Sequence, residues 1–245
     1  MIHWAALGLF LGTLLPLAAA EPPFHGTAYI SPDILTPKDP TALTGLREAG
    51  QGDRKNFDRR TGAFGQTPVW LFQAEYKGGR TIEVQVNREF SLAASKRHAE
   101  RFARIVGQIP HCLRRDVDAL WIHDGEKPFG GGNRSILIHV GQAEKLARSG
   151  TLEEVILHEA CHTSLDGDHA KSAGWAAARG KDPGFISRYA MENPQREDVA
   201  ETFPCWYAVR HRKARLPRDL VKRIEAAVPA RLAYIDSLKL EVSPP

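Results

Sequence analysis

The sequence predicts a single α+β domain, with a small mixed sheet, a helix that carries the candidate site residues, and a mainly helical C-terminal part. Two observations point there. Runs with two-residue alternation are confined to residues 69–140, and apolar residues at three- and four-residue steps dominate from Thr151 onward. No internal repeat or second domain boundary interrupts that order.

The first stretch, Met1 to Ala20, holds an apolar run from Trp4 through Leu17 that closes on Ala18-Ala19-Ala20, and it reads as a secretory signal peptide. His3 stands where Lys or Arg would be expected, so an uncleaved membrane anchor is the alternative. The run is short of the roughly 20 apolar residues that span a bilayer. Cleavage would leave a secreted or periplasmic protein with no stable membrane span. Residues 21–66 are rich in Pro, Gly and charge, and are expected to form an irregular N-terminal arm ahead of the domain proper at 67–245.

Val69 to Tyr76 and Thr81 to Val86 alternate around Lys77-Gly78-Gly79-Arg80, which predicts a β-hairpin. Leu92 to Ile109 has helical spacing and ends before Pro110. Ala119 to His123 and Ser135 to Val140 read as strands on either side of a flexible glycine-rich connection, Pro128 to Asn133. Thr151 and Glu154 form a capping box, so a helix is expected from Leu152 through His162, closed by Gly167 in a left-handed cap. Asn193-Pro194 marks another start, for a helix holding Glu197 to about Arg210. One last helix is expected over Arg218 to Lys239.

Net charge is +4, and the Arg210 to Arg215 cluster reads as a solvated helix face, so no nucleic-acid partner is expected. The three cysteines, Cys112, Cys161 and Cys205, are too few for a disulfide framework but would allow one bridge after export.

The chemistry lies in His158-Glu159-Ala160-Cys161-His162. Residues four apart on a helix stand one above the other, so both imidazoles can reach one ion. Glu159 is a neighbour of that ion, placed to take a proton from metal-bound water. A zinc site that does chemistry needs a third protein ligand and an open position. Asp168 and Glu197 are the candidates. Asp168 has the spacing of metzincin sites, but Leu165 occupies the place where those sites need Gly. Cys161 points away from the shared face, His139 and His169 read as surface or structural histidines, and Asp166 and Asp168 read as turn residues. Asp198 reads as a charge stabilised by a helix N-terminus.

Tyr189, Asn193 and the run Glu197-Asp198-Val199-Ala200-Glu201 resemble the downstream motif of lethal-factor-like zinc metallopeptidases, a gluzincin branch. The resemblance spans roughly Thr151 to Tyr207. It implies a zincin-like domain with an active-site helix, Zn2+ as cofactor and a peptide or protein substrate. It carries the third ligand onto Glu197, a supporting role onto Glu201 and the oxyanion donor onto Tyr189, with Tyr207 the other nearby phenol. The strand Ser135 to Val140 would then bind substrate by strand addition. The expected function is a secreted zinc metallopeptidase. A non-catalytic secreted zinc-binding or cell-surface module on the same scaffold is the alternative.

Overall fold

The computed structural model describes residues 21–27 and 34–242; the expected signal peptide lies outside them. The chain is α+β, built on one six-stranded mixed sheet. The strands are β1 (Leu43–Asp58), β2 (Ala63–Tyr76), β3 (Thr81–Asn87), β4 (Ala119–His123), β5 (Gly130–Gly132) and β6 (Ser135–His139). Their spatial order is β1-β2-β3-β4-β6-β5. β1, β2 and β3 form an antiparallel meander, β4 joins β3 and β6 in parallel, and β5 returns antiparallel at the edge.

The hairpin, the helix after it and the next two strands fall where the alternation and periodicity place them. Helix α1 (Leu92–Gln108) is capped by Ser91, whose side chain accepts from the Ala94 amide at 3.3 Å. It buries Ala99, Phe102, Ala103 and Val106 in the core shared with Val84, Val86, Leu120 and Ile122 of the sheet.

Residues 43–66 correct the expected irregular arm, because they form β1 and the first part of β2. β1 is an edge strand with both faces wet along most of its length, and only Asn56 is buried. Such a strand shows no hydrophobic alternation, since its backbone ladder to β2 does not depend on side-chain polarity. Its charges and two register shifts also protect an open edge from pairing with another chain. The glycine run is likewise ordered, as strand β5.

Two helices flank the last strands in sequence, α2 (His111–Arg114) ahead of β4 and α3 (Val140–Ser149) after β6. Helix α4 (Leu152–Ser164) follows, buried at every position from Leu152 to Cys161. Packed between β5, β6, α2 and later helices, it has no wet face, and truncating a residue such as Leu157 to Ala costs about 2–5 kcal/mol. The capping box does not form. The Thr151 hydroxyl turns to Ser149 Oγ at 2.8 Å, and the helix begins without a side-chain cap. Nor does Gly167 adopt a left-handed cap, because the chain continues as the short helix α5 (Asp166–His169).

α6 (Ala173–Lys181) and α7 (Arg188–Glu192) lead to α8 (Asp198–His211). Asn193 closes α7, and residues 194–197 form a turn in which the Glu197 amide reaches Asn193 O at 2.9 Å, so the regular helix starts later than the Asn-Pro pair suggests. The expected last helix is two, α9 (Arg218–Ala227) and α10 (Pro229–Ser237), broken where Pro229 has no amide to continue the ladder. The three cysteines are buried thiols and none is bridged. Arg210, Lys213 and Arg215 are balanced locally by Asp236, Glu225 and Asp39.

Candidate metal centre

Helix α4 carries His158 and His162 one turn apart, and their rings meet edge to face with Nε2 atoms 3.1 Å apart. Glu197 enters from the N-terminal end of α8, with Oε2 at 3.1 Å from His162 Nε2 and 3.6 Å from His158 Nε2. Ligand atoms around a tetrahedral zinc stand about 3.4 Å apart, given bonds of about 2.0–2.1 Å. Edges of 3.1, 3.1 and 3.6 Å therefore match the face of such a tetrahedron. Among the described residues this is the group of metal-ligating side chains that converges. Asp168 is exposed and not part of it.

The position of Glu197 depends on its neighbour. Asp198 sits in the first turn of α8, as its expected helix-terminal role requires, but it is also buried against Arg231 and accepts from Trp175 Nε1 at 2.9 Å. Arg231 continues to Asp182 at 2.8 Å. Burial raises the Asp198 pKa, and Arg231 and Trp175 oppose that rise. This closed pair staples α10 and the start of α8 together, fixing the backbone that presents Glu197.

Partners surround the triad. His162 Nδ1 lies 2.6 Å from Asp166 Oδ2, and His158 Nδ1 lies 3.5 Å from Glu201 Oε1. Burial alone would lower the His162 pKa, but hydrogen bonds to Asp166 and Glu197 outweigh it and raise it to about 10 in the metal-free protein. Burial works against the Glu197 charge too, yet the two histidines hold its carboxyl well below the usual range. Metal binding at such a group would displace the proton that His162 holds.

Tyr189, on α7, donates its phenol to Glu197 Oε1 at 3.0 Å and is 38 % exposed at the mouth of the site. Burial first, then the nearby Glu197 charge, raises its pKa, so it keeps its proton as a donor. Tyr207 does not line this cleft and is buried, stacked on His211. Glu159 lines the same cleft, 8 % exposed, on the turn between the two histidines. The cleft has a volume of about 940 Å³.

Its far wall is β5. The expected substrate strand, β6, lies between β4 and β5, so it has no open edge; β5 holds the edge position. Gly131 presses on α4 so closely that a Cβ would stand 1.9 Å from Glu159 O and 2.9 Å from His162 Cβ. Only glycine allows this approach. Thr163 Oγ1 accepts from the Gly132 amide at 2.9 Å and lies 2.9 Å from Ser135 O, tying strand to helix.

Several site residues escaped the sequence reading. Asp166 was readable in principle, since it follows His162 by one helical turn. Thr27, Arg59, Lys171 and Arg196 also line the cleft, but nothing in their local sequence marks them. Cys161 is core, His139 is fully buried, and His169 bonds Tyr234 at 2.9 Å. Neither protein-family models nor curated proteins give a match to the chain.

Proposed function

We propose that this protein is a zinc metallopeptidase acting outside the cytoplasm, with His158, His162 and Glu197 as ligands and a peptide or protein as substrate. The observation that carries this reading is the near-tetrahedral spacing of three ligand atoms beside a cleft that also holds a carboxylate and a phenol. Zinc held there would lower the pKa of a bound water towards about 7 and polarise the scissile carbonyl.

The chain's own residues supply the rest. Glu159 takes the proton from the attacking water and delivers it to the leaving amine. Tyr189 releases Glu197 and turns its hydroxyl to the developing oxyanion. The edge of β5 offers backbone groups to an extended peptide, which places the scissile bond over the histidines. Asp166 and Glu201 hold the imidazole rings by their Nδ1 atoms, leaving both Nε2 lone pairs for the metal. No described helix is long and apolar enough to cross a membrane.

Metal analysis of the wild type, Glu197→Ala and Asp168→Ala tests the ligand set. One zinc per chain is expected in the wild type and in Asp168→Ala, with loss from Glu197→Ala. Loss from Asp168→Ala alone would transfer the third ligand to Asp168, and a wild type unable to bind zinc would end the metal reading.

A further inference from the structure

Residues 21–27 lie far from the site in sequence, yet they pack beside it, and Thr27 lines the cleft. The strap is pinned along α7 and the residue before it: Phe24 bridges Ser187, the Arg188 amide donates to Phe24 O at 2.9 Å, and the Tyr189 amide donates to His25 O at 2.9 Å. Arg188 also pairs with Glu21 at 3.1 Å. Gly26 runs so close to Tyr189 that a Cβ would stand 2.5 Å from Tyr189 Cβ, and its φ of +149° suits glycine alone. Thr27 of the strap reaches Glu201, 174 residues away. There the Thr27 amide donates to both carboxylate oxygens, at 2.8 and 3.1 Å, and the Thr27 hydroxyl donates to Oε1 at 2.7 Å.

Glu201 is 0 % exposed, so its carboxylate needs protein donors in place of water. The oxygen that accepts from both the amide and the hydroxyl of Thr27, Oε1, is the one that faces His158 Nδ1 at 3.5 Å. A carboxylate held in that place keeps the proton of the imidazole on Nδ1 and its lone pair on Nε2, towards Glu197 and His162.

We propose that Thr27 is a positioning residue of the metal centre: it orients Glu201, and through Glu201 the ring of His158, while the same strap sets the helix that carries Tyr189. This rests on the metal reading above. The N-terminal segment is then a working part of the site, and the centre is complete only when the strap is docked.

Zinc affinity by chelator competition tests it, on the full chain and its Thr27→Val, Thr27→Ser and Glu201→Gln variants, with metal-free melting temperatures measured alongside. Thr27→Val keeps the side-chain shape and loses the hydroxyl. It is expected to weaken zinc binding by about tenfold or more, within the range for outer partners of metal ligands, while the metal-free melting temperature falls only modestly, because the Thr27 amide still donates to both Glu201 oxygens. Thr27→Ser is expected to restore wild-type affinity. In the Glu201→Gln background the effect of Thr27→Val should largely vanish, because both changes act on one link. Wild-type affinity in Thr27→Val, no rescue by Ser, or additive losses in the double variant would each overturn the proposal. A wild type that binds no zinc would instead overturn the metal reading.

Discussion

Two histidine pairs sit beside carboxylates in this fold, and they behave in opposite ways. His158 and His162 share one helix face, with nitrogens converging at 3.1 Å and Glu197 completing a triangle. His123 and His139 face each other in register on the parallel strands β4 and β6, with rings stacked at 5.8 Å and 30°, both fully buried. Asp58, from the end of β1, lies 3.8 Å from His123 Nδ1 and 3.6 Å from His139 Nε2. Its oxygens are already engaged by Arg60, through the backbone amide at 2.8 Å and Nη2 at 2.7 Å. A guanidinium thus already pairs with the carboxylate that a metal would need. Histidines near a carboxylate do not by themselves make a candidate metal site; ligand atoms that converge, as those of His158, His162 and Glu197 do, are also needed.

The comparison can be broken at three points. The largest effect belongs to Glu159→Gln, which should bind zinc like the wild type and lose turnover of an unstructured protein substrate by a factor of about 10² to 10⁴. Undiminished turnover with bound zinc would remove Glu159 as the base, whereas a wild type that binds zinc and turns over no such substrate would favour a non-catalytic zinc-binding module.

Next comes acid stability. Burial, the dominant cause, lowers the His123 pKa to about 4, and it lowers His139 as well. A depressed histidine pKa favours folding above the unfolded value near 6.5, and that contribution disappears as pH falls through about 4. For His123 it amounts to about 3 kcal/mol. His162 has the opposite sign in the metal-free protein: with a raised pKa, its contribution is full below 6.5 and lost as pH rises through about 10. Urea unfolding of metal-free protein between pH 7 and 4 should therefore show a loss that is smaller in His123→Leu. An identical pH slope in the variant would remove His123 as the protonating group.

The smallest effect sharpens the metal side. Asp166→Asn keeps the shape beside His162 but removes the charge, and zinc affinity should fall about 10- to 100-fold. The zinc content of His139→Ala should meanwhile stay at that of the wild type, and a lost zinc there would put the second pair on the same footing as the first.

Where the sequence was legible, one element carried the whole signal. The alternation of Val69 to Tyr76 and the spacing of Leu92 to Ile109 each report a buried face, and the structure has β2 and α1 there. β1 gave no such signal because it buries almost nothing, and β5 gave none because three glycines have no side chains to alternate. The Arg218 to Lys239 spacing continued across Pro229, where a missing amide breaks the ladder without disturbing the apolar stripe. The capping box failed because Thr151 found Ser149, a competition no motif registers.

By itself the sequence determined the α+β class, the helix that puts His158, Glu159 and His162 on one turn, and the candidates Glu197, Glu201 and Tyr189. Those follow from local periodicity, or from a short run of residues that resembles a known one. The tertiary structure decided which carboxylate closes the triangle, which tyrosine reaches it, which strand holds the edge beside the cleft, and that Thr27 holds Glu201 from the other end of the chain. The physical reason is distance along the chain: periodicity reports the face an element buries, whereas convergence of side chains from separate elements depends on how those elements pack.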